Sequence, residues 1–244
     1  MSRLRALGRL CGVLWLLVSG LCTVAWVFGR LTPAQREARV QAWAQAMLRV
    51  LRIDLQVIGP VPVSGPLLLV ANHISWLDIL VIHAARHCRF ISKSDVKAWP
   101  LIGTLATAAG TLYIERSSRR DAMRVVHGMA AALQDGQLLA VFPEGTTGDG
   151  RDVLPFHGNL LQAAIVVNAP VQPIALRFID ARTGAGSLAP CYIGDESLVV
   201  SVWRTLCTSH LAAVVRFGPA QQADGRDRRA WADALRSEIV AMRQ

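Results

Sequence analysis

The sequence predicts an α/β fold: a mixed, largely buried sheet flanked by helices, preceded by an N-terminal two-helix membrane motif. Three observations carry this expectation. From Asp54 onward short β-rich runs alternate with helical patterns, the signature of layered α/β domains. Several of those runs are continuously apolar, as happens when both faces of a sheet are covered. The N-terminal region carries a charge-free apolar run and then an amphipathic pattern, which suits a membrane rather than a soluble core.

The first element is the run over residues 10–28, LCGVLWLLVSGLCTVAWVF. At ~1.5 Å rise per residue it is just long enough for a hydrocarbon layer of ~30 Å. A cleaved signal peptide is the rival, but the apolar run continues past the weak site at Val18 and Gly20, which argues for retention. Arg3, Arg5 and Arg9 precede the run, and Arg30, Arg36, Arg39 and Arg49 follow it. Positive charge on both flanks gives no clear orientation. It fits a hairpin or in-plane anchor with both ends on the cytoplasmic side. Thr32-Pro33-Ala34-Gln35 then reads as a helix start, with Thr as N-cap, Pro at the first position and Gln closing a capping box. Val40, Trp43, Met47, Val50 and Leu51 share one helical face, with Arg36, Gln41, Gln45, Arg49 and Arg52 mostly off it. That pattern fits a helix on a membrane surface. A surface helix packed on the domain has the same periodicity, so both readings stand. Residues 1–52 are taken as the anchor and 53–244 as the catalytic domain.

In that domain strands are expected over 55–58, 66–71, 89–92, 111–115, 137–142, 171–179 and 212–218. Helices are expected over 76–85, 100–109, 119–134, 159–167 and 226–242. In the last, Trp231, Leu235 and Ile239 recur at four-residue spacing and mark a buried stripe. Residues 181–190, ARTGAGSLAP, read as a loop.

Composition narrows the function. A chain of 244 residues suits one catalytic domain with a short accessory segment. An apolar fraction of 52% excludes a disordered chain. The formal net charge of +9 favours anionic partners: phospholipid head groups, nucleic acid, acidic carrier proteins or phosphorylated substrates. Lys93 and Lys97 are the only lysines, so the charge is nearly all Arg, the residue that binds phosphate as a flat fork. Five widely spaced cysteines without C-x-x-C argue against a disulfide framework or zinc ribbon.

The strongest candidate for chemistry is Ala71-Asn72-His73-Ile74-Ser75-Trp76-Leu77-Asp78, where an apolar strand gives way to a helix. Ligands of α/β sheets gather at the carboxyl ends of strands. His73 and Asp78 are five residues apart, roughly 140° around a continuous helix, so they cannot pair within one. If His73 lies in the turn and Asp78 in the first helical turn, the carboxylate reaches the imidazole and stabilises its charged form. The rival is structural: Ser75-x-x-Asp78 matches a capping box. That would leave Asn72 and His73 unexplained at the end of a very apolar strand. A second cluster, Phe142-Pro143-Glu144-Gly145-Thr146-Thr147-Gly148-Asp149-Gly150, follows another apolar strand and is expected on the same sheet edge. Its glycines allow close approach to a ligand, and Glu144 and the hydroxyls could bind a polar acceptor, though taken alone the cluster reads better as an acidic turn. A third, Gly110 to Arg116, ends on a possible phosphate fork, or a solvated Arg.

Other chemistries fare worse. There is no G-x-S-x-G elbow, no phosphate loop and no dinucleotide fingerprint. His83 and His87, four apart on an expected helix, offer two ligands but no H-E-x-x-H register, so no metal site is expected. No stacking-aromatic or basic-helix motif accompanies the positive charge, so nucleic acid is not an expected partner.

In this order, the motifs resemble the glycerolipid acyltransferase family typified by 1-acyl-glycerol-3-phosphate (lysophosphatidate) acyltransferases. Asn72, His73 and Asp78 match its N-H-x-x-x-x-D motif. Lys93-Ser94-Asp95 through Pro100-Leu101-Ile102-Gly103 resembles its middle region, and Tyr113-Ile114-Glu115-Arg116 its second motif. Phe142-Pro143-Glu144-Gly145-Thr146 matches the third and Ala169-Pro170-Val171-Gln172-Pro173-Ile174 the fourth. The resemblance implies transfer of an acyl group from an acyl-carrier-protein or coenzyme A thioester, the co-substrate, with no cofactor. It implies His73 as base on a lysolipid hydroxyl, Asp78 as its orienting partner, and Arg116, Glu144, Gly145, Thr146, Thr147, Asn72 and Lys93 as acceptor-binding residues. It also implies membrane phospholipids as partners and a place on the inner, cytoplasmic membrane with the catalytic domain facing the cytoplasm. One departure matters. The third motif is commonly Glu-Gly-Thr-Arg, and Thr147 stands where that Arg would be. The run Glu-Gly-Thr-Thr-Gly-Asp-Gly looks rather like the branch that acylates lyso-ornithine lipid. Lysophosphatidate is kept as the first expectation, lyso-ornithine lipid as the second. A non-catalytic lipid-binding protein is the alternative of another class, and the intact His–Asp pair speaks against it.

Overall fold

The computed structural model describes residues 3–114, 119–194 and 196–244. Among these residues seven strands form one mixed sheet: β1 (Ile53–Ile58), β2 (Leu67–Ala71), β3 (Arg89–Lys93), β4 (Leu112–Ile114), β5 (Leu138–Val141), β6 (Val171–Asp180) and β7 (Leu211–Phe217). Their order is β1-β7-β6-β2-β5-β3-β4. Every neighbouring pair is parallel except β6 and β7. β2 and β5 lie side by side in the middle and all their residues are buried. That is why both read as unbroken apolar runs.

Among the described residues eight α-helices flank the sheet: α1 (Arg3–Trp26), α2 (Pro33–Leu51), α3 (Leu77–Ala85), α4 (Ile102–Ala108), α5 (Arg119–Gln134), α6 (Leu161–Val166), α7 (Leu198–Cys207) and α8 (Arg228–Met242). Strand residues alternate between two cores. Leu68, Val70, Leu139 and Val141 pack with Met129 and Leu133 of α5, Leu161 of α6 and the Trp231, Leu235, Ile239 stripe of α8. Leu67, Leu69, Ala71 and Ala140 pack with Leu77 and Val81 of α3, Met47, Leu48 and Leu51 of α2, Ala6 of α1 and Leu206 of α7.

A strand forms at each of the seven expected places, with small changes at the described ends; Glu115, the last residue expected in β4, lies outside the described residues. One helix, α7, had no counterpart in the sequence reading. Its Ser201 and Thr205 are buried while Val199, Val200 and Trp203 are exposed. A water-facing helix would have the opposite arrangement. α4 starts at Ile102 rather than Pro100 because the chain makes a γ-turn there. Leu101 has φ +64° and the Ile102 N–H donates to the Pro100 carbonyl at 2.6 Å.

The N-terminal helices join the core instead of standing apart. α2 begins as its sequence predicts: the Gln35 N–H donates to Thr32 Oγ1, the Thr32 N–H donates to Gln35 Oε1, and Pro33 follows the cap. Its apolar stripe, however, faces protein. Ala44, Met47, Leu48 and Leu51 are buried, so of the two readings left open, the packed surface helix is the one realised. Gln41 and Gln45 reach α3 and donate to the Ala84 and Ala85 carbonyls, which a helix C-terminus otherwise leaves unpaired.

α1 is long and apolar enough to cross a membrane, yet one side of it packs along the domain. Ala6 and Gly20 are buried. Arg9 donates to the Leu206 and Thr208 carbonyls at the end of α7. Trp43 of α2 donates to the Leu16 carbonyl at 2.8 Å, and a Cβ on Gly20 would stand 2.9 Å from Trp43 Nε1. The other side, Leu4, Leu7, Leu14, Trp15, Val18 and Trp26, is exposed and apolar.

Candidate active site

β2 and β5 are adjacent and parallel, so the segments that leave their carboxyl ends emerge on one edge of the sheet. The first carries Asn72 and His73, the second Phe142 to Gly150. The sequence placed both there on strand polarity alone.

The chain turns after His73 and enters α3 one residue before Asp78. This geometry brings the two together as the spacing required. His73 Nδ1 lies 2.8 Å from Asp78 Oδ2. The same oxygen accepts the backbone N–H of Ile74 at 2.6 Å and of Ser75 at 2.9 Å. Asp78 is fully buried while His73 keeps 19% of its side chain exposed. A carboxylate at Nδ1 holds the ring as the Nδ1–H tautomer, leaving Nε2 with a lone pair. The capping-box reading is half present. Asp78 reaches back to the Ser75 N–H, but Ser75 Oγ donates to the Pro190 carbonyl and accepts from the Leu77 N–H, not from Asp78.

Glu144 sits behind the histidine. One carboxylate oxygen accepts the His73 N–H at 2.6 Å and the other the Leu154 N–H at 2.9 Å. Burial pushes its carboxyl above the usual range, and those two hydrogen bonds oppose the rise. The Gly148 N–H donates to the His73 carbonyl at 2.8 Å. Thus the loop after β5 is fastened to the loop after β2 from both sides. Gly145 has φ +72°, a turn that a side chain would strain. Thr146 is exposed, and Thr147 donates its hydroxyl to the Tyr192 carbonyl. Asn72 is buried and extends the pairing beyond β2: its side chain donates to the Leu176 carbonyl and accepts the Leu176 N–H at 2.7 Å. Lys93 ends β3 on the same edge of the sheet and is exposed. Arg116 lies outside the described residues.

Two contacts escaped the sequence reading. Phe142, named there only as part of its motif, stacks on the His73 ring, with centroids 4.0 Å apart and planes at 9°. Its side was legible, since two-residue alternation groups it with Leu138 and Ala140 on the face of the α3 core. The other is made by the segment just before α7, which touches the turn after β2 through Pro190 and Tyr192. Nothing in its composition announces that contact.

His83 and His87 stack at 5.2 Å within the α3 core. Burial, and each other's proximity, holds His83 neutral, with its pKa pushed down to about 3. No third His, Cys, Asp or Glu joins them to hold a metal among the described residues.

Comparison with known proteins gives the family and the fold. The family model described as Acyltransferase matches residues 52–177. The chain is 36% identical over 243 residues to 1-acyl-sn-glycerol-3-phosphate acyltransferase of Neisseria gonorrhoeae, covering 99% of this chain and 93% of that one. It is 38% identical over 213 residues to lyso-ornithine lipid O-acyltransferase of Pseudomonas aeruginosa, covering 84% and 81%. The crystal structure of the 1-acyl-sn-glycerophosphate acyltransferase PlsC from Thermotoga maritima superposes with a TM-score of 0.66 over 96% of this chain and 95% of that one, at 17% identity, a likeness of fold. With its motifs in order and its sheet edge built around the His73–Asp78 pair, the chain belongs to the acyltransferase family.

Proposed function

We propose that this acyltransferase moves an acyl group from a thioester to the free hydroxyl of a lysolipid, with His73 as base and Asp78 as its partner. The observation that carries the reading is the 2.8 Å contact between His73 Nδ1 and Asp78 Oδ2. With Nδ1 so engaged, Nε2 takes the proton of the acceptor hydroxyl as its oxygen attacks the thioester carbonyl. The tetrahedral intermediate then collapses, the carbon–sulfur bond breaks, and the imidazolium returns the proton to the departing thiolate. The buried Asp78 carboxylate stabilises the imidazolium between the two steps. No enzyme nucleophile is required. Cys88 and Cys191 are poor candidates for one, being buried with thiols pushed up, Cys191 to about 11. The donor is a thioester of acyl carrier protein or coenzyme A.

The first acceptor is 1-acyl-sn-glycerol-3-phosphate, the substrate named for the relative aligned over nearly the whole chain. In the family pattern Arg116 is its phosphate ligand. A charge-assisted contact to phosphate is worth ~1.5–3 kcal/mol, so Arg116→Ala is expected to lower catalytic efficiency on this acceptor about ten- to a hundredfold. An unchanged value removes Arg116 from the site. One observation favours a second acceptor, lyso-ornithine lipid: the position usually held by Arg is Thr147, and its hydroxyl is committed to the Tyr192 carbonyl. Purified enzyme assayed with both lysolipids decides between them. Faster turnover of lyso-ornithine lipid makes that lipid the first acceptor.

The same reading puts the enzyme on the inner membrane with its catalytic domain facing the cytoplasm. α1 supports an in-plane seat. One side of it packs on the domain from Ala6 to Gly20 while the opposite side is apolar and exposed. A reporter that finds the catalytic domain on the far side of the membrane sinks this orientation.

A further inference from the structure

α7 is built inside out. Its polar side chains Ser201 and Thr205 are fully buried, whereas Val199 is 76%, Val200 53% and Trp203 39% exposed. The polar groups inside have partners. Ser201 Oγ lies within hydrogen-bonding range of the Pro190 and Cys191 carbonyls and takes the Trp76 indole N–H at 3.2 Å, while Thr205 Oγ1 donates to the Ser201 carbonyl. Water gives no reason to turn two valines and a tryptophan outward on a short helix. An apolar surrounding does.

The neighbour of α7 says which surrounding. α7 packs against α1, and Arg9 of α1 is bonded to its last carbonyls. α7 thus lies beside α1, and each of the two helices carries an exposed apolar side: Leu14, Trp15 and Val18 on α1, Val199, Val200 and Trp203 on α7. Neither helix carries an acidic residue, and Arg3 and Arg5 are exposed at the start of α1. That combination of an apolar surface and arginines at its margin suits the interface of a bilayer with anionic lipids.

Behind α7 runs a strap, residues 189–192, that reaches the catalytic turn. Ser75 Oγ donates to the Pro190 carbonyl at 2.5 Å, and the Tyr192 N–H donates to the Ile74 carbonyl at 3.3 Å. Thr147, from the loop after β5, donates to the Tyr192 carbonyl. Arg204 of α7 holds the strap from its own side through the Ala189 and Cys191 carbonyls and is itself paired with Glu196. Ile74 and Ser75 are the two residues whose N–H groups, with His73, hold Asp78. The strap is thus the one segment among the described residues that bonds to α7, to the turn after β2 and to the loop after β5.

We infer that α7 is a second lipid-contacting helix, beside α1, and that the strap makes turnover depend on that contact. The inference rests on the reading of α1 as a membrane-seated helix. Lipid under Val199, Val200 and Trp203 holds α7 in place; α7 holds the strap, and the strap holds the turn that carries His73.

The test uses the full-length enzyme on vesicles of phosphatidylethanolamine and phosphatidylglycerol, and in detergent micelles. Wild-type protein that fails to float with the vesicles overturns the seat of α1 and this proposal with it. If it floats, the double variant Val199→Asp, Val200→Asp is expected to float as well, through α1. It should lose roughly tenfold in turnover of vesicle-borne lysolipid while keeping wild-type turnover in micelles. Full activity on vesicles overturns the inference. So does an equal loss in both media, which marks the two valines as structural. Trp203 gives an independent reading: emission lost in Trp203→Phe should be quenched by brominated lipid in the wild type, and unquenched emission places α7 away from the bilayer.

Discussion

At the scale of single residues, substituting Asp78 separates a catalytic role from a capping one. Its Oδ2 holds three donors: the His73 ring and the N–H groups of Ile74 and Ser75. Replacing the carboxylate with an amide removes the charge that steadies an imidazolium and leaves one weaker acceptor. Asp78→Asn is expected to lower turnover about 10²- to 10⁴-fold, and His73→Ala by at least ~10²-fold, with both proteins folded and membrane-bound. A cap alone would cost about 1 kcal/mol in stability and leave turnover near normal. Turnover and melting temperature measured on the same two variants separate these outcomes, and a folded His73→Ala enzyme at wild-type rate ends the proposal. This pair was legible in the sequence because its geometry is local: five residues, a strand end and a helix start. The partners of Glu144 were not, since the His73 and Leu154 N–H groups are set by how two loops meet in space.

At the scale of elements, α2 and α3 form a couple. The side chains of Gln41 and Gln45 supply donors to the carbonyl end of α3, whose opposite end carries Asp78. Changing both glutamines to Leu leaves those carbonyls without these donors, at an expected cost of about 1–3 kcal/mol. A lower melting temperature in detergent checks this, and an unchanged one means that water replaces both. The glutamines lie off the apolar stripe of α2, so a sequence reading takes them for solvent-facing. The stripe had the same blind spot, because periodicity reports that a face is buried and not whether lipid or protein buries it. The Thr32 cap and the α8 stripe were legible, since each is decided within one helix. α7 was passed over although its ten residues are amphipathic, and the same limit of periodicity hides its orientation: only the fold shows that Ser201 and Thr205 face inward.

At the scale of the whole molecule, buried histidines tie stability to pH. His83 titrates at about 3 in the folded chain, chiefly through burial, against about 6.5 when unfolded. His87 is lowered too, again mainly by burial. A depressed pKa means that the unfolded chain binds protons that the folded chain refuses. The stability is fully present above pH ~6.5 and drains away as pH falls toward the folded value. For His83 alone the loss at pH 5 is about 2 kcal/mol. Melting temperature should therefore fall between pH 7 and pH 5, and His83→Gln should flatten that slope. An identical slope in the variant assigns the acid sensitivity to other groups. The alternation of strands and helices, and the edge on which the site sits, were legible at this scale because strand polarity and chain order determine them. The sheet's one antiparallel pair, β6 with β7, follows from how the long segment between them returns, which no local pattern encodes.

The couple between α2 and α3 has a consequence for how such a chain can change. A membrane anchor that is only a tether can be lost, exchanged or lengthened with little effect on the domain it holds. Here the second N-terminal helix contributes Met47, Leu48 and Leu51 to the core beneath the sheet and covers the end of the helix that bears Asp78. Trimming the chain to a soluble fragment would open that core to water. Replacing residues 1–52 with a foreign helix is therefore expected to leave that core incomplete and the domain unstable, whatever surface the new helix binds.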